Sequence, residues 1–386
     1  VPKKVRILIF IDWFFPAFKA GGPIRSIANL VDHLHESFDF YLITGDRDLG
    51  DQDSFKNIEL NKWISKENFK IIYLTPAFQK TSKYRSLFKE IQPEIIYFNS
   101  LFSYQFTLKP FSALKKEKVQ FLLSPRGMLG KESLNIKKYK KLFFIRIAKL
   151  TGFFRSIHWH ASSQFELNEI KSVFGDKLQI DIVPNLPVKS KKNVNLKVID
   201  IGDTLYLLSI CRISPIKNII FLLNVLKKVK FNVVLNLIGP IEDMDYFNQC
   251  NTLIKDLPNN CSVNYLNERS FNEIRSYFSN TNLFISTSLN ENYGHSIVEA
   301  LSEGCPVLIS NHTPWKKLEN SNAGAALDLD INLFVEKLNY FKNLSNEEWI
   351  EYRIGAYDFF KKNIDLDIFR DKYLQMINKV AQKTIE

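Results

Sequence analysis

Short runs of apolar, β-branched and aromatic residues recur along the chain. After most of them, apolar residues return at helical spacing. In the first half the runs are Val5–Ile11, Phe38–Thr44, Phe69–Leu74, Ile95–Asn99, Val119–Ser124, Ile157–Ala161 and Ile180–Val183. Between the first two, Ile24, Ile27, Ala28, Val31 and Leu34 keep the i, i+3, i+4, i+7 spacing of one helix face. Strands alternating with helices predict a parallel sheet covered on both faces. The segment Lys189–Asn193 is polar and aperiodic and predicts a linker. The alternation then restarts with Leu205–Ile210, Asn232–Ile238, Ser262–Tyr265, Leu283–Thr287 and Pro306–Ser310. From about Asp328 onward the pattern is helical, through Glu347–Lys361 and Asp365–Gln382. The absence of a short sequence repeat argues against solenoids and propellers. The expected organisation is an α/β domain over 1–188, a linker over 189–203, a second α/β domain over 204–362 and a closing helix over 363–386.

Composition agrees with two globular domains. A chain of 386 residues, 45% hydrophobic and 24% charged, excludes disorder as the main state. Cys211, Cys250, Cys261 and Cys305 contain no C-x-x-C pair, so they read as free thiols of a reducing compartment. Apolar runs such as Ile219–Leu223 fall far short of the ~18 residues of a membrane span. No secretory leader is evident, and the expectation is a cytoplasmic protein. The formal charge of +11 favours anionic partners or, more plainly, a lysine-rich solvated surface.

In open parallel sheets, ligands bind beyond the carboxyl ends of the strands, so the loops there carry the candidate chemistry. The first, Asp12–Gly22, ends in Gly21-Gly22-Pro23. Glycines before a helix N-terminus suit an anion, phosphate above all, although without further context an ordinary turn is the favoured reading. The loop after Leu205–Ile210 holds Arg212 and Lys217, two cations able to neutralise a diphosphate leaving group; chance spacing is the alternative. After Leu283–Thr287 comes Ser288-Leu289-Asn290-Glu291-Asn292-Tyr293-Gly294-His295-Ser296-Ile297-Val298-Glu299-Ala300-Leu301. Here Gly294, His295 and Ser296 open a predicted helix, and Glu299 lies one turn inside it, where a carboxylate can accept two ribose hydroxyls. Taken alone, Glu299 reads better as a capping carboxylate and Glu291 as a solvated loop charge.

This last block resembles the E-x7-E signature of retaining glycosyltransferases of family 4, with Glu291 and Glu299 at the required spacing. Gly21-Gly22-Pro23-Ile24-Arg25, Ser124-Pro125-Arg126-Gly127-Met128, Val183-Pro184-Asn185 and Arg212…Lys217 resemble the same family in order along the chain. The resemblance implies a GT-B fold: two Rossmann-like parallel-sheet domains facing across a cleft, with the closing helix returning to the first. It implies a nucleotide-diphosphate sugar donor in the second domain, a UDP-sugar first and GDP-mannose second. Glu299 would hold the ribose, and Arg212 and Lys217 the diphosphate. Backbone N–H groups of Gly294, His295, Ser296 and Ile297, with Gly21 and Gly22, would cradle phosphate, and Glu291 would contact the donor sugar. The acceptor, a glycan or lipid-linked molecule of surface polysaccharide synthesis, would bind the first domain. Retention of anomeric configuration follows, with no metal or other cofactor.

One departure stands out. Many members carry a His after the fifth strand, where this chain has Arg126. Arginine acts electrostatically at sugar or phosphate but not as a base, which is compatible with a same-face mechanism in which the leaving phosphate takes the acceptor proton. Asp-x-Asp pairs at Asp46/Asp48, Asp51/Asp53, Asp243/Asp245, Asp328/Asp330 and Asp365/Asp367 can hold Mg²⁺ but are scattered as background is. His33, His35, His158 and His160 read as core or rim histidines rather than metal ligands. The stretch Lys131–Arg155 is basic and apolar together; a helix on an anionic membrane surface and a helix packed on its own sheet are equal readings, and family context favours peripheral attachment to the inner membrane face. Alternatives on the same fold are a nucleotide-sugar epimerase or a phosphorylase. A nucleic-acid binder rests on charge alone, and a dehydrogenase lacks G-x-G-x-x-G.

Overall fold

The structure, a computed structural model, describes residues 3–135, 137–188, 202–269 and 271–382. The linker expected at 189–203 lies outside the described residues except for 202 and 203, as do residues 383–386 of the closing helix. The chain divides into two compact units: Val1–Leu186 with Leu366–Glu386, and Pro187–Asp365.

Unit one carries β1 (Val5–Phe10), β2 (Phe38–Gly45), β3 (Trp63–Ser65), β4 (Lys70–Leu74), β5 (Ile95–Asn99), β6 (Gln120–Ser124), β7 (Ile157–Ala161) and β8 (Gln179–Ile182). Their order in the sheet is β3-β4-β2-β1-β5-β6-β7-β8. β3 runs antiparallel to β4, and the other neighbours are parallel. The unit's helices are α1 (Gly22–Leu34), α2 (Thr81–Ile91), α3 (Lys109–Leu114), α4 (Lys131–Asn135), α5 (Lys138–Leu150) and α6 (Gln164–Phe174). Unit two carries β9 (Thr204–Ile210), β10 (Asn232–Ile238), β11 (Cys261–Tyr265), β12 (Leu283–Ser286), β13 (Val307–Ser310) and β14 (Gly324–Leu327), all parallel, in the order β11-β10-β9-β12-β13-β14. Its helices are α7 (Ile219–Leu226), α8 (Met244–Lys255), α9 (Phe271–Phe278), α10 (His295–Ser302), α11 (Ile331–Lys342) and α12 (Asn346–Asn363); α13 (Leu366–Gln382) belongs to unit one.

The near-continuous apolar strands have a direct cause. In β1, Ile7 and Ile9 enter one buried cluster with Ile24, Ile27 and Val31 of α1. Leu8 and Phe10 enter the opposite cluster with Tyr84 and Leu87 of α2, Phe111 of α3 and Ile145 of α5. A strand buried on both faces loses the alternation of a half-buried one. Tyr373, Met376, Ile377 and Val380 of α13 recur at helical spacing and complete the first of these clusters.

Two strands lie beyond the apolar runs. β3 has three residues, too few to register as a run, and β14 reads Gly-Ala-Ala-Leu without a β-branched side chain. β14 is held by its partner: at Gly324 (φ 132) a Cβ would lie 1.8 Å from the Val307 carbonyl oxygen, so glycine lets the two backbones meet. The basic stretch 131–155 is not one helix. Lys137 takes a left-handed conformation (φ 54) between α4 and α5.

Among the parallel strands of each sheet the order reverses at one point, between β1 and β5 in unit one and between β9 and β12 in unit two. Adjacent loops diverge there and leave a crevice at the carboxyl edge. Among the described residues no helix is long and apolar enough to cross a membrane.

Candidate functional site

At the switch point of unit two, the loop after β9 delivers Arg212 and Lys217, and the loop after β12 delivers Glu291. Lys217 Nζ and Glu291 Oε1 form an ion pair at 2.5 Å, with side chains 14% and 15% exposed, sheltered enough to resist solvent screening. Ser288 Oγ donates to the same Glu291 oxygen at 2.9 Å. The three loops at this edge are stitched together by backbone. Leu289 N–H donates to Ile216 O (2.8 Å), Glu291 N–H to His312 O (3.0 Å), and Thr287 Oγ1 to Asn218 O (3.0 Å). Ser310 Oγ, at the end of β13, donates to Ser288 O at 2.6 Å. Arg212 pairs with Glu242. Its loop leaves β9 past Gly239 (φ 147), where a Cβ would lie 1.9 Å from the Cys211 carbonyl oxygen, so no other residue fits. Burial pushes the Cys211 thiol up to about 11, which removes it as a nucleophile.

Gly294, left-handed at φ 74, caps α10. Trp315 Nε1 donates to Tyr293 O at 2.6 Å, and the Tyr293 ring lies against His295 and Trp315 with centroids 4.8 and 5.6 Å away. These aromatic contacts fix the entry to α10. The expected cradle of Gly294, His295, Ser296 and Ile297 differs in one member: Ile297 N–H already donates to Gly294 O at 3.0 Å. The first turn is tight, so the donors facing the loop come from the residues before Ile297. Glu299 is 7% exposed, one turn into α10. Burial, and then the Glu299 charge, push the Tyr293 hydroxyl well above its usual range.

Unit one has a second cluster at its own switch point. Asp12 follows β1 and Ser103 follows β5; Ser103 Oγ donates to Asp12 Oδ1 at 2.6 Å and accepts Phe106 N–H at 3.0 Å. Burial pushes the Asp12 carboxyl up to about 6, and the Ser103 bond opposes it. Gly21 caps α1 with φ 66, and Ser26 Oγ donates to Gly22 O at 3.0 Å. The loop before them is held by Asp48, whose Oδ2 accepts Phe18 N–H (2.8 Å) and Lys19 N–H (3.2 Å). Arg126, after β6, is bonded to Tyr97, Asn99 and Asn185.

Three of the aspartate pairs have a member in a structural role. Asp46 accepts from Arg47 and Ser54, Asp243 caps α8, and Asp330 caps α11. His160 is fully buried, with Nδ1 2.6 Å from Tyr97 OH and Nε2 2.7 Å from Val183 O; His158 Nε2 is 2.7 Å from Asp181. Among the described residues no group of three or more His, Cys, Asp or Glu is arranged to hold a metal ion. All four cysteines are free.

The structure thus brings Arg212, Lys217, Glu291 and the start of α10 to one edge of unit two, and Gly21, Gly22 and Arg126 to the carboxyl edge of unit one. Sequence reading missed Asp12, Ser103, Tyr97, Asn99 and Gly239. Asp12, Ser103 and Asn99 end or follow the central strands, a positional signal, whereas Tyr97 lies in the middle of β5. Gly239 follows β10 directly, where a lone glycine marks close backbone approach.

Residues 188–353 match the family model described as glycosyl transferases group 1. Among curated proteins none matches the chain. Solved structures similar to it include HepE from Anabaena in complex with UDP and glucose, at 16% identity over 97% of this chain and 100% of that one, with a TM-score of 0.71. Sucrose-phosphate synthase from Thermosynechococcus elongatus is 12% identical over 98% and 99%, with a TM-score of 0.74. WaaG, a glycosyltransferase involved in lipopolysaccharide biosynthesis, is 12% identical over 97% and 99%, with a TM-score of 0.68. The fold is therefore GT-B, built from two parallel-sheet α/β units.

Proposed function

We propose that the protein is a retaining glycosyltransferase of the family 4 type, moving a sugar from a nucleotide-diphosphate donor to an acceptor of surface polysaccharide synthesis. The observation that carries this reading is the Lys217–Glu291 pair at the switch point of unit two, beside the start of α10. The match of residues 188–353 to glycosyl transferases group 1 supports it, as does the presence of UDP and UDP-glucose in similar structures. UDP is accordingly the favoured donor base and GDP the second. Glu299 would bind the ribose, and Ser296 and His295 at the start of α10 would bind phosphate; Gly21 and Gly22 are the phosphate-binding candidates of unit one.

In the reaction an acceptor hydroxyl attacks the anomeric carbon and the bond from that carbon to the β-phosphate oxygen breaks. The departing phosphate oxygen takes the acceptor proton from the same face, so configuration is retained. Lys217 has three N–H donors and gives one to Glu291; the others and the Arg212 fork are assigned to the diphosphate as charge develops. These two cations supply the neutralisation a metal ion would otherwise provide, and we expect activity to survive EDTA. Glu291 holds Lys217 in place and contacts the donor sugar.

The acceptor is assigned to unit one and to the membrane surface. On α5, Tyr139, Leu142, Phe143, Ile147 and Leu150 are exposed along one face while Ile145 and Ala148 are buried on the other. No acidic residue occurs from Lys137 to Arg155. An exposed apolar stripe flanked by Lys138, Lys140, Arg146 and Lys149 fits the surface of an anionic bilayer. Peripheral attachment at the inner face of the membrane follows from this reading.

The test is thermal melting of the full chain against UDP, GDP, their sugars, NAD and short DNA. A ligand at a hundred times its dissociation constant adds about 2.7 kcal/mol. Stabilisation by one diphosphate nucleotide, lost in Glu299→Ala, is expected; stabilisation by NAD or DNA alone would overturn the reading.

A further inference from the structure

Arg126 follows β6 with a left-handed backbone (φ 55), and Gly127 beside it is also left-handed (φ 74). A long side chain rarely stays in that region unless its surroundings hold it there. Its guanidinium donates from Nη2 to Asn99 Oδ1 (2.7 Å), from Nε to the same oxygen (3.2 Å), from Nη2 to Tyr97 OH (3.1 Å) and from Nη1 to Asn185 Oδ1. Every acceptor is uncharged. Among the described residues Arg126 makes no ion pair. The nearby Glu166 carboxylate is taken up by Gly127 N–H, Ser162 N–H and Ser162 O–H, at 2.7, 2.7 and 2.8 Å.

The hydrogen-bond directions are fixed by chemistry. Val183 O can only accept, so His160 Nε2 carries its proton. His160 Nδ1 then accepts from Tyr97 OH, whose oxygen is left to accept from Arg126. Arginine only donates, so the Asn99 atom facing it is the amide oxygen and the opposite atom is the NH₂ group. That NH₂, on a side chain almost wholly buried, has no hydrogen-bond partner among the described residues. Five guanidinium N–H groups meet four acceptor contacts, leaving one on Nη1. A whole positive charge, half-buried and held rigid by neutral groups, stands beside unused donors at the carboxyl ends of β5 and β6.

We propose that Arg126 is an oxyanion-binding residue of unit one that takes phosphate oxygens of a bound substrate. The assignment deepens the transfer reading, on which the identity of that substrate rests. The phosphate has two sources, the donor diphosphate or a phosphorylated acceptor, and the same chemistry serves both. An arginine needed only to brace the fold has no use for a charge without a counter-charge; a neutral side chain of the same reach would spare the desolvation of an ion.

The experiment is thermal melting of the full chain at constant ionic strength, with inorganic phosphate and UDP as probes, in wild type, Arg126→Gln and Arg126→Lys. Each melting temperature is referred to the same protein without ligand, so a loss of fold stability does not count. If the source is an acceptor, protein saturated with UDP still gains from phosphate; Arg126→Gln loses that gain while its UDP affinity is unchanged. If the source is the donor, UDP binding weakens about tenfold or more in Arg126→Gln, the value of a charged hydrogen bond. In both cases Arg126→Lys keeps part of the response, because it keeps the charge without the fork. A lower baseline melting temperature with both ligand responses intact would overturn the proposal. If wild type ignores UDP altogether, the transfer reading fails, and the phosphate titration still decides for or against Arg126.

Discussion

Lys217 and Glu291 meet at 2.5 Å although 74 residues separate them, and the contact ties the loops on either side of the unit-two switch point. Glu291 is thereby a positioning group for a cation as well as a candidate contact to sugar. We expect Lys217→Ala to lower kcat by roughly a hundredfold to a thousandfold, as for the loss of one donor to a developing oxyanion. Glu291→Gln should lower kcat more than it raises the dissociation constant of the nucleotide. Steady-state kinetics with nucleotide binding measured separately gives both numbers; unchanged kcat in both variants would remove the pair from the reaction.

Gly239 sets where Arg212 emerges. A Cβ at this position would meet the Cys211 carbonyl at 1.9 Å. Gly239→Ala is expected to destabilise by about 3 kcal/mol, the upper end for forced overpacking, and to weaken nucleotide binding in the protein that remains folded. Urea unfolding and nucleotide titration check the two effects separately.

The Asp12 carboxyl titrates at about 6 in the folded protein against 3.8 as its ordinary value, chiefly through burial. Its folded pKa is raised, so the native state binds the proton more tightly than the unfolded state. The carboxyl therefore favours the fold at low pH and costs stability as pH rises from about 4 through 6. Asp12→Asn should remove this slope and be the more stable protein above pH 6, relative to wild type. His160 pulls the other way over the same range, because its folded pKa is depressed to about 3. The difference between the two proteins at each pH isolates Asp12.

His160 is kept neutral by burial and then by the Arg126 charge. Ring resonances of His160 should show a proton on Nε2 and no titration down to pH 5. In Arg126→Gln its pKa should move upward. A protonated His160 at pH 6 in wild type would contradict the bonding order from Arg126 to Val183.

The exposed side chains of α5 make the membrane reading measurable. Wild type should sediment with vesicles containing anionic lipid and not with neutral phosphatidylcholine vesicles. Phe143→Ser with Leu150→Ser should reduce binding about tenfold or more, given the apolar area of two large side chains. Equal sedimentation of wild type and variant would assign the face to another partner.

Strand positions were legible because both faces of the parallel sheets are buried, so β1, β5 and β12 read as compact apolar runs. β14 was not, because it has no β-branched residue and Gly324 is required by a backbone approach that only the neighbouring β13 reveals. The pairing of Lys217 with Glu291 was equally out of reach, since spacing in sequence says nothing of a contact across the switch point. Arg126 stood out as a departure from relatives. Its acceptors Tyr97 and Asn99 sit in β5 and looked like ordinary strand residues. The stretch 131–155 shows periodicity but not its interruption, as nothing about Lys137 marks a left-handed residue.

The place of α13 bears on how the protein is made. The core against Ile7 and Ile9 needs Tyr373, Met376, Ile377 and Val380, which are synthesised after all of unit two. At about 5–20 residues per second, the 180 residues from Pro187 through Leu366 take roughly 10–40 s to emerge. For that interval one face of the earlier-made sheet has α1 but not α13 over it, while the later-made unit already has all its parts. The order of completion is therefore the reverse of the order of translation, and a nascent chain halted before Leu366 presents to chaperones the apolar patch that Tyr373, Met376, Ile377 and Val380 would cover.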